Sequence, residues 1–217
     1  MPTHPGTDSD ALPVIDRIVA ELLGAIEDGR LVAGQRLIEA EIATDLGVGR
    51  NAVREAMQKL EGLGFLNLRR NKSAVIQSLD RQETLEVLAV AEVNSKLMIR
   101  CAATNYKEDM HCITLDGVMQ RLKTHYDHHE VRQFAQARRH FATALLDIGN
   151  NREMSRIFPT IRIHMIISQH MSYKLMSILL SGYQSIAEAI KENNPDRGVA
   201  VTSIHVDNLR RFTGEGR

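Results

Sequence analysis

Residues Gln35 to Ile76 pass from helical to strand-like patterning within about forty positions, and that order restricts the fold more than anything else in the chain. Leu37 to Leu46 reads as a short amphipathic helix, and Gly47-Val48-Gly49 as a tight connector in which glycine can supply a positive φ. A second helix is expected from about Arg50 to Leu63. Val53, Ala56, Met57, Leu60 and Leu63 recur at helical spacing and form its buried face. Gly62-Leu63-Gly64 then stops the helix. Phe65-Leu66-Asn67-Leu68 and Ser73-Ala74-Val75-Ile76 are short apolar runs on either side of Arg69-Arg70-Asn71-Lys72, as two strands around a cationic turn would be. Helix, turn, helix and two-stranded wing together make a winged helix-turn-helix. Such a unit places the start of its second helix in the DNA major groove. Upstream, Ile15, Ile18, Val19, Leu22, Leu23 and Ile26 predict a helix that covers this core.

Arg50, Asn51 and Arg54 lie off the buried face, near the start of the second helix, and are the expected contacts to bases and phosphates. Arg69, Arg70 and Lys72 are the expected wing contacts. The formal net charge of zero does not oppose this. From Arg50 to Ile76 the cations Arg50, Arg54, Lys59, Arg69, Arg70 and Lys72 face only Glu55 and Glu61, and a local basic face matters more than the sum.

The same residues resemble the GntR family of bacterial transcription regulators. Leu31-Val32-Ala33-Gly34-Gln35-Arg36-Leu37, Glu41-Ile42-Ala43 and Leu46-Gly47-Val48-Gly49-Arg50-Asn51-Ala52-Val53-Arg54-Glu55-Ala56 follow the family's order and spacing. The resemblance implies that Arg50 and Arg54 contact DNA. Ala33, Gly49, Asn51-Ala52 and Asn71 depart from the family pattern at its Pro, Ser, Thr-Pro and wing glycine, which bears on operator sequence rather than on DNA binding.

Beyond Ile76 the strand signal ends. Asp80 and Glu83 have capping-box spacing. Helices are expected near 81–103, 107–124, 129–148, 152–172, 174–192 and 196–213, forming an antiparallel bundle. The expected fold class is mainly α: an N-terminal winged helix-turn-helix plus a C-terminal helical bundle. The expected divisions are a loose tail at 1–12, the winged unit at 13–78, a linker at 79–85 that runs into the next helix, and an all-helical effector-binding and dimerisation domain at 86–217.

This second part resembles the FadR subfamily and its helical FCD domain. The matching features are Gly149-Asn150, Ile186-Ala187-Glu188-Ala189-Ile190 followed by Asn194-Pro195-Asp196, and His205. In much of that group one Asp and three His hold a divalent metal. Here Tyr183 stands for the middle His, and His140 lies one residue from the first. The acid is absent, for Gln136 precedes His140 by four and Ala137 precedes Phe141 by four. The resemblance therefore implies an effector pocket around Gln136, His140, Tyr183 and His205. A divalent metal on His140 and His205 is the disfavoured alternative, and no cofactor is assigned. The effector is expected to be a small carboxylate or acyl compound. Arg138-Arg139 could meet an anion or stay exposed. The His125, His128, His129 cluster reads as a solvated loop, and the Met165, Met171, Met176 stretch as core.

Two cysteines, Cys101 and Cys112, give no disulfide framework and suit a reduced cytoplasmic setting. No window reaches membrane-spanning length, and no secretory leader is read at the N-terminus. The function these features imply is a ligand-responsive regulator, in the sense of a repressor, that binds a double-stranded, pseudo-palindromic operator as a homodimer. It is not an enzyme: no nucleophile elbow, H-E-x-x-H or phosphate loop is present. The alternatives are a metal-dependent helical enzyme with a DNA-binding appendage and a non-catalytic protein-interaction module.

Overall fold

The structure is a computed structural model that describes residues 13–69 and 73–214. It divides into two compact units. One holds the chain up to Ile26 and Arg30–Ser78; the other holds Glu27–Gly29 and Leu79 onward.

In the first unit, α1 (Val14–Glu27) supplies Ile18, Leu22 and Ile26 to the core. β1 (Arg36–Ile38) precedes α2 (Glu39–Leu46), α3 (Arg50–Gly62), β2 (Leu66–Arg69) and β3 (Ser73–Ile76). The sheet order is β1-β3-β2, antiparallel throughout, with Leu37 opposite Ala74 and Leu68 opposite the same residue from the other side. β1 corrects the expectation that the helix starts at Leu37. Buried Leu37 and the third strand edge of β3 hold Arg36–Ile38 extended, and α2 starts two residues later. Gly47 takes the left-handed conformation, φ 63°, and its N–H reaches back to close α2, whereas Gly49 is extended. Val53, Ala56, Met57 and Leu60 bury the inner face of α3 against Phe65, Leu66 and Ile76. The wing-tip residues Arg70, Asn71 and Lys72 and the tail at 1–12 lie outside the described residues.

The second unit is helical: α4 (Arg81–Asn105), α5 (Glu108–Asp127), α6 (Val131–Gly149), α7 (Arg152–Ile157), α8 (Ile163–His170), α9 (Tyr173–Lys191) and α10 (Pro195–Gly214). α10 runs against α4 and α9, α5 against α6 and α9, and α4 against α6. The single helix expected at 152–172 is two. Pro159 sits in a 3-10 turn, Phe158–Thr160, where its missing N–H breaks the α ladder, and the chain restarts at Ile163. Asn150 closes α6 at φ 46°. Gly149 before it lies so close to α4 that an added Cβ would meet Cys101 Cβ at 3.3 Å.

α4 opens on a complete capping box. The Glu83 N–H donates to Asp80 Oδ1 at 2.8 Å, and the Asp80 N–H donates to Glu83 Oε2 at 3.0 Å. Asp80→Ala is expected to cost about 1 kcal/mol. In a chain of this size that lowers the melting temperature by about 2–4 °C. Differential scanning calorimetry of the two proteins checks it, and an unchanged melting point would show that the cap adds nothing.

Candidate functional site

The first site is the start of α3. Arg50 and Asn51 are exposed in its first turn, which holds no acidic residue, and Gly49 before it provides no side-chain cap. The first N–H groups of the helix and a cationic side chain thus face outward together, an arrangement suited to anionic phosphate. Arg54 follows one turn on. Its Nε donates to Glu39 Oε1 at 3.0 Å and its Nη2 to Glu39 Oε2 at 2.9 Å. This paired geometry fixes the guanidinium plane, and the bonds to Glu39 strengthen the arginine's hold on its proton. Glu39 is buried at the start of α2, so the pair ties the two helices of the motif while Arg54 stays partly exposed. Arg69 is exposed at the end of β2, and Lys59 is held at 2.7 Å by Asp16. Of the expected DNA contacts, Arg70 and Lys72 fall outside the described residues.

The second site is a cavity of about 70 Å³ within the helical unit. α4 lends Met98 and Ile99, α6 lends Arg138 and Phe141, α8 lends Ile167, α9 lends Tyr183 and Ile186, and α10 lends His205. Tyr183 stands between two rings, its centroid 4.7 Å from that of Phe141 and 5.3 Å from that of His205. Burial drives the Tyr183 phenol up, and Arg138 offsets part of that shift, so the phenol is neutral. Burial takes the His205 imidazole down to about 4, so it too is neutral near pH 7. His205 Nδ1 has no hydrogen-bond partner. The ring lies against α9 at Gly182, where an added Cβ would stand 2.0 Å from Nδ1. The glycine is therefore the space the imidazole occupies.

Of the two readings that the sequence leaves open for Arg138, an anion contact or an exposed cation, burial removes the second. It is 4 % exposed, and its Nε is buried without an acceptor. Its Nη1 and Nη2 each lie 3.4 Å from His164 Nδ1. Glu27 Oε1 is 3.2 Å from the same Nδ1. Burial, then Arg138 and Arg139, hold the His164 pKa well below the usual range, so the ring is neutral. A neutral Nδ1 serves either as donor to Glu27 or as acceptor for Arg138, not both. Burial raises the Glu27 carboxyl, against the pull of Arg138 and Arg139. The signal for Arg138 was its place on α6: Phe134, Phe141 and Leu145 mark the apolar face, and position 138 falls on it.

The structure brings Tyr183 and His205 together and leaves Gln136 and His140 apart from them. The half-buried Gln136 amide donates to Asp28 Oδ2 at 3.5 Å, and His140 is exposed. Each residue turns the helix by about 100°, so His140 faces away although its neighbour Phe141 lines the cavity. Counted without a gap from Gly149-Asn150, Ala137 and Phe141 hold the acid and first-His positions, with Tyr183 and His205 at the other two. These residues do not fit a divalent metal: one is a methyl group, one a benzyl group and one a neutral phenol, and a guanidinium shares the cavity. Among the described residues no three His, Cys, Asp or Glu side chains converge. The His125 cluster ends α5, where His125 pairs with Glu130 at 2.6 Å. His129 stacks on Tyr173, which stacks in turn on Tyr126.

Gly182→Ala separates packing from propensity. Alanine in a free helix position adds about 1 kcal/mol of stability over glycine. The contact with His205 reverses that sign, and overpacking of this kind costs about 1–3 kcal/mol. A lower melting temperature for Gly182→Ala, restored in the Gly182→Ala/His205→Ala double variant, is the expected outcome. A raised melting temperature in the single variant refutes the contact.

Comparison with known proteins finds a match for each of the two units. Residues 14–76 match the model of the bacterial regulatory proteins of the gntR family, and residues 95–208, more than half the chain, match the FCD domain. The chain is 26% identical over 198 residues to a protein of Paenarthrobacter nicotinovorans named as a probable D-xylose utilization operon transcriptional repressor. The match covers 90% of this chain and 85% of that one. The solved structure of E. coli McbR/YncC superposes with a TM-score of 0.82 at 15% identity, covering 94% of this chain and 98% of the other. A GntR transcriptional regulator from Rhodococcus sp. RHA1 gives 0.74 at 19% identity, covering 94% and 99%. The chain belongs to the GntR family of bacterial transcription regulators, with a helical FCD domain as its second unit.

Proposed function

We propose that this regulator is a cytoplasmic repressor that binds a pseudo-palindromic operator as a homodimer and answers to a small carboxylate or acyl compound taken up by its FCD domain. The observation that carries the DNA reading is the outward-facing set Arg50, Asn51 and Arg54 at the start of α3, with Arg54 held in plane by Glu39. A planar guanidinium fixed before binding is ready for the paired acceptors of a guanine edge or a phosphate. The observation that carries the effector reading is the cavity. It mixes a large apolar wall with a few convergent polar groups, the usual make-up of a small-molecule site. No helix among the described residues is long and apolar enough to cross a membrane.

A second copy of the chain is the partner we assign to the helical unit. Val90, Val93 and Leu97 follow one another at helical spacing on α4 and are all exposed, Val93 at 69 %. An apolar stripe of this kind is the surface an isologous helix pairing would bury. Bound ligand would act by changing the operator affinity of the dimer, and the operator would change ligand affinity by the same factor.

Arg50→Ala is expected to weaken operator binding by about 5- to 150-fold, the worth of one paired arginine–base contact of about 1–3 kcal/mol. Arg69→Ala is expected to weaken operator and unrelated DNA alike and to lower the salt slope by about one. Gel shifts across a salt series read both, and a wild-type shift from Arg50→Ala overturns the recognition-helix assignment. Val93→Glu places a charge in the α4 stripe and is expected to give a monomer by light scattering. A wild-type mass for that variant moves the dimer interface elsewhere.

A further inference from the structure

We propose that the cavity of the FCD domain takes a short-chain monocarboxylate, gripped by the buried guanidinium of Arg138 and bound without a metal ion. The inference rests on the reading of this domain as the effector-binding part and names the ligand class for it.

The argument starts from charge. Arginine cannot shed its proton in a protein, so Arg138 holds a full positive charge where it is 4 % exposed. Its surroundings do not use its donors fully. Among the described residues Nε is buried with no acceptor, and Nη1 and Nη2 each lie 3.4 Å from His164 Nδ1, near the outer limit of a hydrogen bond, with the neutral Tyr183 hydroxyl as the guanidinium's other partner. An under-used fork of N–H groups in a largely apolar pocket is the complement of a carboxylate, whose two oxygens accept from it side by side. Glu27 is the acid in this cluster, and it meets His164 Nδ1 at 3.2 Å. The imidazole thus lies in contact with both charges, which leaves Arg138 open to a second, closer anion.

The lining fixes the rest of the ligand. Among the described residues around the cavity, Arg138 is the one cation. One negative charge is matched; a second would be set against Met98, Ile99, Ile167 and Ile186. Those side chains suit a hydrocarbon tail. The Tyr183 hydroxyl and His205 can each exchange a hydrogen bond with a ligand oxygen, and both are neutral. The cavity of about 70 Å³ is roughly half the size that admits benzene, which points to a ligand smaller than that six-atom ring, with acetate and propionate as its simplest examples. The positions that the family resemblance reserves for an acid and two histidines hold Ala137, Phe141 and Tyr183, so the guanidinium takes over the role of positive centre from a metal ion.

Calorimetric titration of the full chain, purified without a metal-affinity step and dialysed against EDTA, tests this. The probes are acetate, propionate, butyrate, propionamide and succinate. Propionate is expected to bind about tenfold tighter than propionamide, the gain from a charge-assisted pair over a neutral one, and tighter than the longer butyrate or succinate. Binding is expected to be unchanged by added zinc, lost in Arg138→Met and partly kept in Arg138→Lys. If Arg138→Met does not fold, the acid-to-amide ratio in the wild-type protein decides alone. Equal affinity for propionate and propionamide, a requirement for zinc, or no binding of any of the three acids at millimolar concentration overturns the proposal. Operator gel shifts in the same buffer keep the two readings apart. A chain that shifts operator but ignores the acids overturns the ligand class and leaves the regulator standing. A chain that binds propionate with unaltered operator affinity supports the site and overturns its role as the effector switch.

Discussion

A buried positive charge organises the helical unit. An arginine in an apolar interior costs several kcal/mol unless its surroundings answer it, and polar groups gather near Arg138 in a core that is mostly hydrocarbon. His164 and Tyr183 meet the guanidinium directly, while Glu27 reaches it through His164. Arg139 beside it engages Asp28 at 3.3 Å. This cluster needs α8 where it is. The break at Phe158–Thr160 turns the chain so that Ile163 to His170 presents His164 to one side of Arg138 and Ile167 to the cavity. The 3-10 turn that interrupts the expected long helix is thus a condition of the site.

The winged unit solves a different problem with the same kind of pair. Glu39 is buried at the start of α2, a place where a carboxylate is favoured by the helix dipole, and Arg54 meets it with two parallel bonds. Two of the guanidinium's five N–H donors go into joining the helices, and Arg54 stays partly exposed. Among the described residues Arg50 has no such tether, and it sits in the first turn. The two arginines therefore differ in freedom: Arg54 arrives with its orientation set, and Arg50 adjusts.

The winged unit was legible because its punctuation is local. Gly47 and Gly64, both at positive φ, mark turns that other residues enter only under strain, and the Val53–Leu60 spacing marks one helix face. β1 was not legible, since three residues, Arg36 to Ile38, carry no period of their own and take their conformation from β3. In the helical unit the capping box at Asp80 and the left-handed Asn150 could be read in advance. Pro159 stood in plain view inside an apolar run whose helical spacing continued past it. The cavity was half legible. Tyr183 and His205 are anchored by the turns near them, but a one-residue slip on α6 turned attention to His140, about 100° from the face that matters. For Arg138 the sequence leaves an anion contact and an exposed cation open, and its position among Phe134, Phe141 and Leu145 decides for the interior.

Tyr183 leads to a consequence of another sort. The chain has no tryptophan and four tyrosines, and Tyr106, Tyr126, Tyr173 and Tyr183 all belong to the helical unit. Tyrosine emission from the native protein therefore comes from that unit alone, and the winged unit, with Phe65 but no tyrosine, adds none. Tyr126 and Tyr173 lie nearly parallel with centroids 4.7 Å apart, whereas Tyr183 is isolated from them against Phe141 and His205. Any molecule that enters the cavity touches one of the chain's own fluorophores, so this protein carries a built-in optical reporter for its interior and none for the part that faces DNA.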